Sequence, residues 1–191
     1  WNYERDRVPV SMFFTSVLRD ALRQPLLSRP LKFAPGRLSV ALHARRGDCH
    51  RDDGRLHPDS YYLHIVELIR RHAPTADVHL WSSVRNLPSQ QEDYWTSADF
   101  DVYRQSGMLV HLDEDPLMEA WAHLARADIF VGSRSSMSYV PAVLNQGCYV
   151  YPGGLDSPLD NWVNGELAAT IESELARCVA RAAGGGRRTW T

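Results

Sequence analysis

Leu38-Ser39-Val40-Ala41-Leu42-His43-Ala44-Arg45-Arg46-Gly47-Asp48 is the stretch on which the reading of this chain turns. Its first half is a short apolar run entered from the turn pair Pro35-Gly36, and it reads as a buried strand. Its second half follows without a spacer and holds a histidine, two adjacent arginines and an aspartate. A buried strand that ends in charge delivers that charge to one point. In open α/β sheets that point is the crevice at the carboxyl ends of the strands, where ligands sit. Two guanidiniums held there by rigid backbone offer planar forks of donors suited to phosphate. The plainer alternative is a pair of solvated arginines with Asp48 as ion partner.

Outward from this strand, apolar residues near helical spacing predict a helix over Val10 to Leu27, stopped before Pro30. A polar loop, Cys49 to Leu56, follows the arginines, and Pro58-Asp59-Ser60 opens a second helix that closes at His72-Ala73-Pro74. Further strands are expected at Val78 to Trp81, Met108 to Leu112, Ile129 to Val131 and Cys148 to Tyr151. Between them lie a weakly patterned helix over Gln90 to Asp99, a helix from Pro116 to Ala125 and another from about Ser136 to Leu144. A last helix runs from Gly165 to Ala182. The alternation implies an α/β fold with a doubly wound, mainly parallel five-stranded Rossmann-like sheet in the order 3-2-1-4-5. That order sets the first and fourth strands side by side at the switch point, so the loops His43 to Asp48 and Ser133 to Ser136 would face one crevice. The expected organisation is a helical segment over 1–33, a Rossmann-like domain over 34–182 and a disordered tail over 183–191.

A chain of 191 residues suffices for one such domain. With 21 basic against 23 acidic residues there is no broad positive surface, so no nucleic-acid partner is expected and any phosphate recognition is local. No apolar run reaches membrane-spanning length. The three cysteines are far apart and odd in number, which argues against a disulfide framework and against a paired metal site. Opening on Trp1, the chain reads as a fragment or processed piece.

Ser133-Arg134-Ser135-Ser136 lies between an apolar strand and a helix, where N–H groups and hydroxyls can point at an anion; helix capping alone would also account for the serines. No G-x-x-x-x-G-K-[ST] loop, no G-x-G-x-x-G after the first strand and no G-x-S-x-G elbow is present. Asp113-Glu114-Asp115 reads as a solvated helix start that complements the helix dipole rather than as a divalent-metal site.

His43-Ala44-Arg45-Arg46-Gly47-Asp48 resembles the H-x-R-R-x-D motif of the α1,2-, α1,6- and protein O-fucosyltransferase superfamily. Leu56-His57-Pro58 with Tyr61-Tyr62, and Ala127-Asp128-Ile129-Phe130-Val131 with Ser135-Ser136, are similar to two further pieces of that family, and the spacing fits the α1,6 branch best. The resemblance covers about residues 38 to 152. It implies the carboxyl-terminal, GDP-fucose-binding half of a two-Rossmann (GT-B) glycosyltransferase that moves fucose from GDP-fucose to a glycan hydroxyl with inversion and without a metal or other cofactor. The amino-terminal Rossmann domain is not in this sequence, so the enzyme would be incomplete without it. By the resemblance His43 contacts the guanosine, Arg45 the β-phosphate, and Ser133, Ser135 and Ser136 the diphosphate region. Arg46 and Asp48 position the loop, and Arg46 joins Arg45 in stabilising the departing diphosphate. Asp53, eight residues after Arg45, stands where the α1,6 enzymes carry a catalytic base. Two positions depart from the family: Ser83 and Val84 replace paired aspartates, and Ala120 replaces a guanine-reading aspartate, with Glu119 as its nearest substitute. The setting implied is the Golgi lumen for a eukaryotic secretory enzyme and the cytoplasm otherwise. The competing reading is a non-catalytic nucleotide-sugar or glycan-binding module of the same fold.

Overall fold

A computed structural model describes residues 16–85, 95–153 and 161–184. In chain order the elements are α1 (Ser16–Leu27), β1 (Ser39–His43), α2 (Asp59–His72), β2 (Asp77–Ser82), a 3-10 turn (Ser97–Phe100), α3 (Asp101–Gln105), β3 (Leu109–Leu112) and α4 (Leu117–Arg126). They continue with β4 (Ile129–Val131), α5 (Ser136–Leu144), β5 (Cys148–Tyr151), β6 (Trp162–Asn164) and α6 (Ile171–Ala183). All the strands pair in parallel in one sheet, ordered β3-β2-β1-β4-β5-β6. This is the expected doubly wound, Rossmann-like arrangement with one strand more. Val40 is in register with Val78 on one side and Ile129 on the other, so β1 is central. Every residue of β1 is buried, which is what a parallel strand covered on both faces requires.

Successive strand residues face opposite layers. Val40, Leu42, Leu80, Val131 and Val150 pack against Tyr62, Ile65 and Ile69 of α2, Tyr103 of α3 and Leu175 of α6. Ala41, Trp81, Phe130 and Tyr149 pack against Leu124 of α4 and Ala142 of α5. α1 does not extend the sheet; its Leu26 is buried against Ala122 and Ala125 of α4.

Three expectations need correction. The sixth strand, β6, was not anticipated, because three residues are too few to carry a period; it moves the start of the last helix from Gly165 to Ile171. Cys148 and Cys178 form a disulfide, 30 residues apart in sequence. The first opens β5 and the second lies on α6, so packing on one sheet face joins them rather than any motif spacing. In the chain-entropy account a loop of that size contributes about 3–4 kcal/mol. Asp113 and Asp115 are not a solvated helix start. Asp113, with φ 56°, accepts from Ser83 Oγ (2.6 Å) and the Val84 amide (2.8 Å), while Asp115 accepts from Trp81 Nε1 (2.9 Å) and Lys32 Nζ (2.7 Å). The first six residues of the helix expected over Val10 to Leu27, the first half of the helix expected over Gln90 to Asp99 and all but 183–184 of the expected tail lie outside the described residues; the described end of that second helix is instead a 3-10 turn capped by Thr96, with a short helix following it.

Candidate functional site

The loops after β1 and β4 meet at the switch point. His43, the last residue of β1, is buried, and its Nδ1 lies 2.7 Å from Ser138 Oγ on α5 and 3.0 Å from Ser133 Oγ after β4. Ser138 Oγ also accepts the Ser133 amide at 2.9 Å. One imidazole and two hydroxyls therefore lock the β4 turn onto β1. Burial, and then the nearby Arg45 charge, push His43 from 6.5 down to about 3, so the ring is neutral near pH 7.

Arg45 carries the link between the two loops. Its Nε and Nη2 grip both oxygens of Asp48 (3.1 and 2.6 Å), and its Nη1 donates to the carbonyl of Arg134 at 3.0 Å. A planar guanidinium is thus spread across the switch point, next to the start of α5. Ser135 is the N-cap of that helix, its Oγ accepting from the Met137 amide at 3.2 Å, and Ser136 is the exposed first helical residue.

Arg46 goes the other way. Only 4% exposed, it donates to the carbonyls of Arg45 (2.7 Å) and His57 (3.1 Å) and to Asp59 Oδ1 (2.6 Å), with its guanidinium 5.0 Å from the centre of the Trp95 ring. It holds the arginine loop to the start of α2. Its guanidinium is not presented to the crevice, which corrects its expected share in stabilising a diphosphate but agrees with a loop-positioning part. Gly47 completes the anchorage: its N–H donates to the Ser83 carbonyl at 2.9 Å, and a Cβ there would lie 2.9 Å from Ser83 Oγ.

Asp53 lies in the same loop, where both its oxygens accept from the Arg55 guanidinium and Oδ1 also accepts the Arg55 amide at 2.9 Å. The Arg55 side chain holds this carboxyl well below the usual range. Glu119, in the first turn of α4, is paired with Arg29 at 3.1 Å, and Ala120 beside it is buried. The structure thus brings His43, Arg45, Ser133 and Ser135 together and sets Arg46, Asp53 and Glu119 in ion pairs of their own. Burial pushes the Cys49 thiol up to about 11, which leaves it inert as a nucleophile near neutrality.

Sequence reasoning overlooked two groups at this end of the sheet. Arg134, in the β4–α5 turn, and Glu166, after β6, approach to 3.5 Å, and Glu166 also lies 3.0 Å from His57 Nε2. Arg134 was legible as a charge inside the serine turn; Glu166 was hidden because β6 itself was.

Fold and site together define a Rossmann-like domain that gathers arginine and serine side chains at its switch point, while a cavity lined by Phe33, Ser39, Asp128 and Cys148 lies at the opposite, amino-terminal ends of the strands. No protein-family model and no curated protein matches the chain. Solved structures similar to it include POFUT1 in complex with GDP, at 11% identity and a TM-score of 0.36 over 73% of this chain and 47% of that one. Another is POFUT1 in complex with GDP-fucose, at 13% identity and a TM-score of 0.32 over 73% and 46%. The chain spans about half the length of these structures. Likeness this slight does not fix function; the chain's own residues have to carry it.

Proposed function

We propose that this chain is the donor-binding half of a fucosyltransferase-like glycosyltransferase, binding GDP-fucose and transferring fucose with inversion to a hydroxyl of a glycan or glycoconjugate. The observation that carries the reading is the Arg45 guanidinium, stretched from the β1 loop to the Arg134 carbonyl beside the start of α5. A leaving diphosphate is stabilised by a fixed cation together with a helix amino terminus, because neither must reorganise as charge builds. In this scheme the acceptor oxygen attacks the anomeric carbon from the face opposite GDP, the bond from that carbon to the diphosphate breaks, and Asp53 takes the acceptor proton. Neutral His43 positions Ser133 and contacts the guanosine, and Glu119 reads the base after leaving Arg29. The scheme uses the chain's own charges and asks for no metal or other cofactor, so EDTA should leave nucleotide affinity unchanged.

Calorimetry with GDP, ADP and UDP tests the donor assignment. GDP should bind best, and Arg45→Ala should weaken it by about 2–4 kcal/mol through loss of a charge-assisted contact. Equal binding of all three diphosphates would sink the guanosine assignment. The Asp53–Arg55 clamp favours the second reading, a nucleotide-sugar-binding module without catalysis, because a carboxylate held this far below its usual range is a weak base. Asp53→Asn in a full-length protein containing both halves decides between them. The enzyme reading expects transfer to fall by about a hundredfold or more with GDP affinity intact, since the base acts only in the transition state.

A further inference from the structure

We propose that Arg134 is the second phosphate-binding guanidinium of the crevice, and that Glu166 is the carboxylate a diphosphate displaces from it. The proposal deepens the nucleotide-sugar reading and rests on it. A diphosphate carries charge on two centres and calls for donors from more than one direction. Arg46 cannot be the second donor, because two carbonyls and Asp59 use its guanidinium inside the fold.

Arg134 has the opposite character. Its backbone is already in the site, since its carbonyl takes the Arg45 Nη1 hydrogen bond. Its side chain is 45% exposed and reaches its partners only at long range, 3.4 Å to the Pro152 carbonyl and 3.5 Å to Glu166 Oε1. Charge-assisted bonds are typically about 2.7–2.9 Å long, so both contacts are weak and most of the guanidinium's donor capacity is left over. Such an arginine can turn to a better acceptor without breaking a short bond.

Glu166 marks the place as one that holds an anion. Its carboxylate sits between Arg134 and His57 Nε2, and a Cβ on Gly153, where φ is +49°, would lie 2.0 Å from Glu166 Oε2. The turn after β5 therefore passes close to the carboxylate, and its positive φ is one that glycine adopts readily. His57 is pulled below its ordinary value by burial, so near pH 7 its ring donates to Glu166 as a neutral group. Glu166 thus keeps a good hydrogen bond after Arg134 leaves it, which makes the exchange a small rearrangement.

Calorimetry on the full chain tests this with GDP, and with guanosine as the control that lacks both phosphates. Arg134→Gln should weaken GDP binding by about tenfold or more, while guanosine affinity and melting temperature stay near those of the parent. Arg134→Lys should recover part of the loss. Glu166→Gln should tighten GDP binding by about two- to fivefold, because a competing charge is removed. If Arg134→Gln binds GDP within twofold of the parent while Arg45→Ala is still impaired, Arg134 is excluded and the nucleotide reading stands. Equal loss for GDP and guanosine would assign the effect to the fold of the turn and overturn the phosphate contact. Weaker GDP binding by Glu166→Gln would overturn the displacement. A parent chain that binds no GDP overturns both this proposal and the reading beneath it.

Discussion

The two walls of the crevice are built on different principles. The loop after β1 is fastened by ions: Arg46 spans two carbonyls and Asp59, and Arg45 is clasped by Asp48. The turn after β4 is fastened mainly by neutral groups, His43 with Ser133 and Ser138 and one serine cap, with a single cationic tie where Arg45 reaches the Arg134 carbonyl and a long contact from Arg134 to Glu166. Buried charge is costly to leave unpaired and gives a stiff anchor, whereas hydroxyl networks cost little to distort. A stiff, ion-fastened wall facing a more adjustable one, in which hydroxyls flank a loosely held Arg134, suits a ligand whose charge must be fixed while the rest of it is fitted.

The largest test of this contrast is Arg46→Ala. It strips the loop of its bonds to the Arg45 and His57 carbonyls and leaves Asp59 without its closest cation. Because Asp59 is 39% exposed and can be rehydrated, the expected loss is about 3 kcal/mol rather than the extreme for a fully buried pair. Chemical denaturation reads it directly, and a loss no greater than that of Arg45→Ala would erase the distinction between the two neighbours. Arg45, with its ion pair at the surface, should cost about 1 kcal/mol of stability or less.

The next test uses pH. His43 is lowered in the folded chain from 6.5 to about 3, so between those values the unfolded chain binds the extra proton. Stability from this group is complete above about pH 6.5 and falls as pH drops toward 3, with a slope near 1.4 kcal/mol per pH unit. His57, His79, His111 and His123 are also lowered, first by burial, and add to the slope in the same direction. His43→Gln, which has no proton to gain, should reduce the slope by about one proton. An unchanged slope would show that the neutral wall does not depend on this ring.

How far these walls were legible in the sequence depends on period. Buried parallel strands announce themselves as apolar runs, so β1, β2, β4 and β5 were readable to within a residue. Their parallel pairing followed from the alternation of strands and helices, and their order from taking the Rossmann-like arrangement for it. The division between Arg45 and Arg46 was also latent. His43 faces the α5 layer and Ala44 the α2 layer, and carrying that alternation two residues further sends Arg45 toward the β4 turn and Arg46 toward Tyr62 and Asp59. Motif reading hides this, because it treats the two arginines as one feature. The Cys148–Cys178 bond, the Arg55 clamp on Asp53 and the Glu166 contact were not legible, since each depends on loops or elements too short or too distant in sequence to carry a pattern.

Ser138→Ala probes the neutral wall at lower amplitude. It removes the acceptor of the Ser133 amide and one partner of His43, both buried, and should cost about 1–2 kcal/mol of stability. The smallest effects separate the two serines at the start of α5. Ser135 is the cap, so Ser135→Ala should lower stability by about 1 kcal/mol. Ser136 is exposed and is not the capping side chain, so Ser136→Ala should leave stability unchanged. Its hydroxyl stands at the positive end of the helix, where a phosphate oxygen would accept from it, and the same substitution should weaken GDP by about 1 kcal/mol while the helix amides remain. Thermal melts and GDP titrations on the two variants give the four values needed. The crossed result, stability lost at 135 and affinity lost at 136, divides the turn into a capping residue and a ligand residue. Affinity unchanged at both 135 and 136 would return these two serines to purely structural work and leave the anion to the arginines and the helix amides.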